Sequence, residues 1–405
     1  MNNIETSVCV VGSGPSGAFA SAYLNQKKIP HIVLDSQQHP RDKPCADTIN
    51  VHVLNRLKLL LPGAYHRLKE LGTLHPINGI CFYPPNNKVY KYTYLDLPHY
   101  NGEPSSYTIK RTQFDQILFE ELKKQEFATV LNPYKALTVE STDNGAVVTT
   151  DKGTVSCEFV VVASGCKSAF AQGLTGNKVE DYHCALGVRA YFENVATDDK
   201  NYAEFYLDKT IYFGAFYIAP MANNLYNVNM VMTAGSVKEK GVNLRQHFLE
   251  LIETHPVLNK KFKDAKIKGK VDGHPLLLGT KNRKLSGNRC LFIGDAGGLI
   301  DVVSANGIPQ GMKSAEIAIG CIHKWREEKA IINDELMRQY DVLIYKKLKK
   351  DLLAGRIITQ LNRVKFLRRI YLMATNLFVN RLLINLFMKI AVYTQNPLSF
   401  LRKKG

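Results

Sequence analysis

Several features that are common in other protein classes are missing from this chain of 405 residues. Its eight cysteines form no CxxC pair and show no metal-ligand spacing with histidine, so the sequence predicts neither a metal site nor a disulfide framework. The N-terminus lacks a basic region followed by an apolar region and a small-residue cleavage site, so we expect no export signal. These absences favour a cytoplasmic location.

Acidic residues are scarce at the C-terminal end of the chain. Of a formal net charge of +17, residues 346–405 carry +13, because they contain fourteen lysines and arginines but one acidic residue, Asp351. The segment also lacks a run of about 18 uncharged residues, since Arg381 and Lys389 interrupt its most apolar part, so a membrane-spanning helix is not predicted. Basic amphipathic helices favour peripheral contact with the anionic inner face of a membrane. The alternative is a helical cap with a solvated basic face, and nucleic-acid binding is not favoured because no binding module is recognised.

What is present at the N-terminus is a strand, a glycine-rich turn, a helix and a second strand, in that order. The apolar residues 8–11 precede a GxGxxG turn in which Gly12 permits a tight turn, Gly14 permits close approach to a pyrophosphate, and Gly17 permits close helix packing. The N–H groups and dipole of the following helix favour phosphate binding. Asp35 ends the second strand, where its carboxylate can accept hydrogen bonds from a ribose. This order predicts a dinucleotide site.

Two further segments carry motifs of the same kind. A turn at residues 294–298, which contains Asp295, follows the apolar residues 290–293 and precedes a long helical pattern. Arg111 stands at the head of another predicted helix, in an Arg-x-x-Phe-Asp sequence that ends at Asp115.

These motifs resemble the FAD-dependent superfamily of geranylgeranyl reductases, aromatic hydroxylases and flavin halogenases, over roughly residues 5–330. The resemblance implies that Asp295 binds the ribityl-pyrophosphate side of FAD, that the backbone of residues 306–308 lies against the flavin pyrimidine ring, and that Arg111 contacts the cofactor. It also implies a backbone contact from Ala136 to adenine. The predicted FAD-binding residues are Gly12, Ser13, Gly14, Pro15, Ser16, Gly17, Asp35, Ser36, Lys43, Cys45, Ala46, Arg111, Ala136, Asp295, Gly298, Gly307 and Ile308.

Residues 41–47 resemble the Lys-Pro-Cys segment of the geranylgeranyl reductases, in which the cysteine lies near the flavin. The resemblance makes Cys45 the candidate catalytic residue, a thiol that donates a proton to a substrate carbon after hydride transfer. Its alternative role is that of a small apolar packing residue. An aromatic segment ending in proline resembles the reductase strand over the flavin, although such strands also occur in any sheet core. It predicts that Tyr212, Phe216, Tyr217 and Pro220 line the substrate cavity.

Three departures from the family pattern bear on the chemistry. Hydroxylases carry an Asp-Gly pair linked to NAD(P)H where this chain has Ser164 and Gly165. No second GxGxxG occurs, so we expect electrons from transiently bound NAD(P)H or from a reduced partner protein. The halogenase motif contains two tryptophans and this chain has one, Trp325, so halogenation is not favoured.

The predicted fold class is α/β, with a discontinuous Rossmann-like FAD-binding domain (1–75, 108–180 and 276–335), an antiparallel β-sheet substrate domain (76–107 and 181–275) and a basic helical C-terminal region (336–405). We expect an FAD-dependent oxidoreductase that reduces carbon–carbon double bonds of a hydrophobic prenyl- or polyene-like substrate. One alternative is an FAD-dependent monooxygenase that hydroxylates an aromatic or polyketide-like ring. The other is a flavin-binding sensor without turnover.

Overall fold

The computed structural model describes residues 2–85, 89–93, 104, 106–175, 180–211, 213–302, 305–364 and 366. Within these residues the chain forms two large β-sheets, a small third sheet and helices around them. The predicted α/β class with a parallel sheet, an antiparallel sheet and C-terminal helices is confirmed.

The first large sheet has eight strands in the order β17-β18-β11-β1-β2-β8, with β10 and β9 added beside β11. Their bounds are β1 Asn2–Val11, β2 His31–Leu34, β8 Ala128–Leu131, β9 Ala136–Ser141, β10 Ala146–Thr150, β11 Gly153–Val162, β17 Ser286–Gly287 and β18 Cys290–Phe292. The central strand β1 runs parallel to both β2 and β11, and its residues Val8, Cys9 and Val10 are completely buried. A strand covered on both faces needs such a continuous apolar run.

Several helices pack against strands of this sheet. The helices of the chain are α1 Pro15–Gln26, α2 Val51–Leu60, α3 Pro62–Glu70, α4 Arg111–Leu122, α5 Ala169–Thr175, α6 Ala234–Lys240, α7 Leu244–Thr254, α8 Leu258–Lys261, α9 Ile308–Glu327, α10 Asp334–Lys347 and α11 Lys349–Arg363. Of these, α1, α5 and α10 contact strands of the sheet. Helix α1 packs closely against α9, so the two glycine turns that precede these helices lie at the same edge of the sheet.

The second large sheet has seven strands in the order β16-β12-β15-β14-β13-β5-β6. Their bounds are β5 Gly79–Tyr83, β6 Tyr90–Thr93, β12 Cys184–Glu193, β13 Tyr202–Tyr206, β14 Ala215–Pro220, β15 Leu225–Thr233 and β16 Lys266–Leu277. The pairing is antiparallel except between β13 and β5, which are parallel. A third sheet contains β3 Thr48–Asn50, β4 His75–Ile77 and β7 Ser106–Thr108.

One face of the second sheet packs against α7 and α8. Phe216 lies there, completely buried, with its ring stacked 5.5 Å from that of Phe248. Lys261, also buried, places its Nζ 2.8 Å from Glu204 Oε1, 2.9 Å from Asp198 Oδ1 and 2.9 Å from Tyr83 Oη. The cluster therefore joins α8 to β5 and β13, with the charges of Lys261 and Glu204 buried and Asp198 half exposed.

The C-terminal part begins with α10, which packs against β17 and α9, and with α11, which packs against α10 and residues 181–183. Among the described residues, no helix combines the length and the apolar character that a membrane crossing requires. The predicted basic helices at 367–405 lie outside the described residues.

Candidate active site

A cavity of about 1660 Å³ lies between the two large sheets and is lined by residues from both. Fifteen of the residues predicted for the cofactor and substrate sites line it: Gly12, Gly14, Pro15, Ser16, Asp35, Ser36, Lys43, Cys45, Ala46, Arg111, Ala136, Tyr217, Asp295, Gly307 and Ile308. Five others, Ser13, Gly17, Phe216, Pro220 and Gly298, do not line it, and Tyr212 lies outside the described residues.

The first glycine turn is shaped by contacts that exclude a side chain. Gly12 has φ +108°, and a Cβ there would lie 2.6 Å from the carbonyl oxygen of Ala163. A Cβ on Gly17 would lie 1.8 Å from the carbonyl oxygen of Gly12. The absence of a side chain at Gly17 therefore allows helix α1 to pack closely against the turn. Gly17 itself does not line the cavity, whereas Gly12, Gly14 and Ser16 do.

Ser13 links the first glycine turn to Asp35 by two hydrogen bonds. Its backbone N–H and its hydroxyl both donate to Asp35 Oδ2, over 2.8 and 2.6 Å. Burial alone would raise the pKa of Asp35, but hydrogen bonds from His39 and Ser13 and the positive charge of Arg41 hold it below its usual range. The carboxylate thus stays ionised at the cavity wall, as an acceptor for a ribose hydroxyl must.

The second turn meets the first one directly. A Cβ on Gly294 would lie 2.3 Å from Ser16 Oγ, and a Cβ on Gly311 would lie 2.1 Å from the same atom. Lys43 Nζ donates to Asp295 Oδ2 over 2.6 Å. Burial favours the neutral form of Asp295, but the charge and hydrogen bond of Lys43 lower its pKa below the usual value. Both predicted turns, with their acids, therefore open into one cavity.

Gly298, which the resemblance predicts to bind FAD, does not line the cavity. It adopts φ +63°, and a Cβ there would lie 2.9 Å from the guanidinium of Arg283. Arg283 in turn donates to the carbonyl oxygens of Leu278 and Gly298, over 2.8 and 3.2 Å. Gly298 thus ends the turn on the side away from the cavity.

Arg111 is placed beside Cys45 and is held by a carboxylate. Its guanidinium donates two hydrogen bonds of 2.7 Å to Asp115, one turn further along α4, and Arg111 and Cys45 both line the cavity. Arg41 approaches the same carboxylate at 3.6 Å. A chain of charged groups therefore runs from Asp35 through Arg41 and Asp115 to Arg111.

Asp47 is a buried carboxyl that the sequence did not single out. It has φ +58° and is 1% exposed; its Oδ2 accepts a hydrogen bond of 2.5 Å from Tyr191, and its Oδ1 accepts one of 3.3 Å from the backbone N–H of Arg111. Asn227 on the second sheet donates to the carbonyl oxygen of Cys45 over 2.8 Å. The loop that carries Cys45 is thereby tied to the second sheet and to the start of α4.

Burial raises the pKa of Asp47 to about 6, against the hydrogen bonds from Tyr191 and Asn227 that lower it. A carboxyl whose pKa is higher in the folded than in the unfolded protein contributes stability at low pH, which is lost as the pH rises through the folded value. We therefore expect Asp47→Asn to gain stability relative to wild type, by about 2–3 kcal/mol, between pH ~4 and pH ~7. Denaturant unfolding at several pH values measures this difference. The exposed Asp264→Asn is the control, and parallel pH profiles for wild type and Asp47→Asn would contradict the expectation.

Cys166 and His274 form a second pair on the cavity wall that sequence reasoning missed. Cys166 Sγ lies 3.4 Å from His274 Nε2 and donates to the carbonyl oxygen of Pro275 over 3.0 Å. Burial, then the charges of Lys43 and Lys167, lower the pKa of His274 to about 4, and burial and Asp295 raise that of Cys166 to about 11. Both groups are therefore neutral near pH 7. In the sequence, the only signal for this pair is the position of His274 within the segment that forms strand β16.

The cavity face of the second sheet changes from polar to apolar across adjacent strands. Strand register aligns Arg189, Asn229, Tyr217, Phe205 and Phe82 in one row from β12 to β5, and all five line the cavity. Because side chains alternate along a strand, Phe216 and Pro220 point to the opposite face from Tyr217. The sequence pattern identified this strand but not which of its aromatic residues face the cavity.

Comparison with known proteins identifies related chains. A model of the FAD binding domain family matches residues 5–318. Digeranylgeranylglycerophospholipid reductase 1 of Methanothermobacter thermautotrophicus is 24% identical over 326 residues, which cover 78% of this chain and 76% of that protein. Menaquinone reductase of Mycobacterium tuberculosis is 23% identical over 325 residues, 77% of this chain and 75% of that one.

A solved structure from Thermoplasma acidophilum, of a geranylgeranyl bacteriochlorophyll reductase-like protein, superposes with a TM-score of 0.78 over 99% of both chains at 19% identity. Similarity at this identity shows the fold. The predicted family and fold class are confirmed by these matches.

Proposed function

We propose, from the premise that the chain belongs to the FAD-binding domain family, that this FAD-dependent oxidoreductase reduces carbon–carbon double bonds of a hydrophobic prenyl- or polyene-like substrate. The observation that carries the proposal is the shared cavity. One wall contains both glycine turns with Asp35 and Asp295, and the opposite wall is the largely apolar sheet face that contains Tyr217 and Phe205.

The residues of the first wall fit FAD. Gly12, Gly14 and the N-terminus of α1 would hold the pyrophosphate, Asp35 a ribose, and the backbone around Ala136 the adenine. Ser164 lines the cavity, and its hydroxyl is buried without a hydrogen-bond partner among the described residues, so a bound group could supply one after a small side-chain rotation. When bound, FAD supplies the hydride for the reduction.

The second wall suits a long apolar molecule with a polar end. The row from Arg189 to Phe82 crosses four strand spacings. Its apolar residues, from Tyr217 to Phe82, therefore extend over roughly 10 Å beyond the polar residues Arg189 and Asn229. Two relatives are named as reductases, one of a digeranylgeranylglycerophospholipid and one of menaquinone, and these names support a lipid-like substrate.

The electron donor in this proposal is transiently bound NAD(P)H or a reduced partner protein, since the sequence has a single GxGxxG. The proposed setting is the cytoplasm, with peripheral contact at the inner face of an anionic membrane. The basic residues of 346–405 support that contact.

Anaerobic turnover tests the function. The holoenzyme, reduced with dithionite, is incubated with a geranylgeranyl phospholipid or menaquinone, and mass spectrometry follows the addition of two hydrogens per double bond. Oxygen-dependent gain of oxygen on an aromatic ring would instead identify a monooxygenase. Full flavin reduction without turnover of either lipid would contradict the proposal and favour a sensor.

Cys45 is the proposed proton donor in that reaction, because its thiol lines the cavity beside Arg111 and its carbonyl is fixed by Asn227. We expect Cys45→Ala to bind FAD fully and to be reduced normally by dithionite, but to saturate double bonds about a hundredfold or more slowly. Cys321→Ala, which alters a buried thiol on α9 away from the cavity, is the control. Wild-type turnover in Cys45→Ala would assign Cys45 to packing.

A further inference from the structure

Helix α11 forms part of the cavity wall. Ile358 lines the cavity together with Val302, Leu278 and Ile300, all apolar. Gly355 lies against Val302, since a Cβ there would be 2.7 Å from Val302 Cγ2. The inner face of α11 therefore closes an apolar part of the cavity, next to the C-terminal end of strand β16.

The opposite side of α11 also presents apolar side chains to solvent, together with the exposed Gln360. Leu353 is 50% exposed, Ile357 53% and Val364 46%, and their spacing of four and seven residues places them on one side of the helix. Phe366, just beyond the helix, is 70% exposed. Soluble proteins seldom leave such a row uncovered, and a contiguous exposed apolar surface commonly marks a binding surface.

Positive charge lies at the N-terminal end of this apolar row. Lysines 346, 347, 349 and 350 stand at the junction of α10 and α11, and all four are exposed. The acidic residue of this part of the chain, Asp351, is buried and accepts hydrogen bonds from Lys313 Nζ over 2.6 Å and from Gln310 Nε2 over 3.2 Å on α9. Its charge is thus neutralised by an ion pair, which also fixes the first turn of α11 on α9.

From this arrangement we propose that the outer face of α11, namely Leu353, Ile357, Val364 and Phe366, docks on the surface of an anionic lipid bilayer, and that a lipid chain passes beside α11 into the cavity. This inference rests on the proposed function, which it extends by naming the surface and the route. Apolar side chains enter the acyl boundary while neighbouring lysines contact anionic headgroups.

Charge distinguishes the bilayer from the other possible occupant, a second copy of this chain. Two such faces brought together would place the same lysine clusters opposite each other, and like charges across an interface oppose association. An anionic lipid surface instead attracts each lysine near it, and the attraction weakens with added salt. The bilayer also contains molecules of the kind that the apolar end of the cavity accommodates.

Vesicle flotation with the full-length holoprotein tests the docking surface. We expect it to float with vesicles of phosphatidylcholine and phosphatidylglycerol, and about tenfold less with phosphatidylcholine alone or at high salt. The double variant Leu353→Ser/Ile357→Ser should bind the anionic vesicles at least about tenfold more weakly. Leu59→Ser is the matched control, because Leu59 on α2 is 73% exposed but is remote in sequence from this face. Flavin absorbance and circular dichroism verify that each variant is folded.

Turnover in two media separates the docking inference from the proposed function. The double variant should lose at least about tenfold in rate with substrate embedded in anionic vesicles, but keep the wild-type rate with substrate in detergent micelles. Equal vesicle binding by wild type and the double variant would overturn the docking surface. Wild-type binding that depends on Leu353 and Ile357, without turnover in either medium, would support the surface and contradict the proposed function.

Discussion

Replacing Gly17 with alanine is expected to abolish flavin binding. The added Cβ would lie 1.8 Å from the carbonyl oxygen of Gly12, so either the turn or helix α1 has to move. The backbone of Ala163 lies close to Gly12 on another side, since a Cβ built on Gly12 would be 2.6 Å from the carbonyl oxygen of Ala163. Overpacking against backbone atoms costs about 1–3 kcal/mol or more, and here the displaced atoms belong to the phosphate-binding turn itself. The ratio of flavin absorbance to protein absorbance in the purified variant measures the loss.

The matched control is Gly320→Ala on helix α9. No heavy atom lies within 4 Å of a Cβ at this position, so the variant should keep its flavin. Because glycine is unfavourable within a helix, it should also gain about 0.5–1 kcal/mol of stability. A stoichiometric flavin content in Gly17→Ala, equal to that of the control, would contradict the proposed geometry of the turn.

Lys261→Met is expected to lower the stability of the second sheet substantially. The substitution leaves Glu204, which is completely buried, with a carboxylate that has lost its ammonium partner. Tyr206 still donates to that carboxylate over 2.5 Å, but a hydroxyl does not compensate its charge. Removing one partner of a buried ion pair typically costs about 3–5 kcal/mol. Chemical denaturation followed by far-ultraviolet circular dichroism measures the change.

Lys260→Met provides the comparison, because Lys260 is the exposed neighbour of Lys261 on the same short helix. It removes the same charge and adds the same side chain, so its effect should stay within about 0.5 kcal/mol. Equal stabilities for the two variants would show that the Lys261 cluster does not stabilise the sheet.

Local features of the sequence predicted much of the first wall of the cavity. The order of strand, glycine turn, helix, strand and acid requires contacts between residues near each other in sequence, and Gly12, Gly14 and Asp35 lie where that order places them. The second turn lies far away in sequence, but the same logic of strand and helix applies to Asp295. Resemblance, rather than spacing, was needed to bring the two turns together.

The residues of the site that the sequence did not predict are positioned by contacts between segments that are far apart in the sequence. Asp47 acquires its role from Tyr191, 144 positions away, and Cys166 pairs with His274 across 108 positions. Neither pair produces a periodic pattern in the sequence from which the contact could be predicted. The sequence predicted the aromatic strand β14. It did not indicate which face of that strand meets the cavity. The structure shows that Tyr217 lines the cavity, whereas Phe216 packs on the opposite face against Phe248.

The most direct test of the account is the absorbance spectrum of the purified protein. The convergence of Asp35, Asp295 and the two glycine turns on one cavity predicts a yellow protein with flavin absorbance bands, which releases one FAD per chain on denaturation. A colourless protein that remains colourless after incubation with FAD would contradict the account.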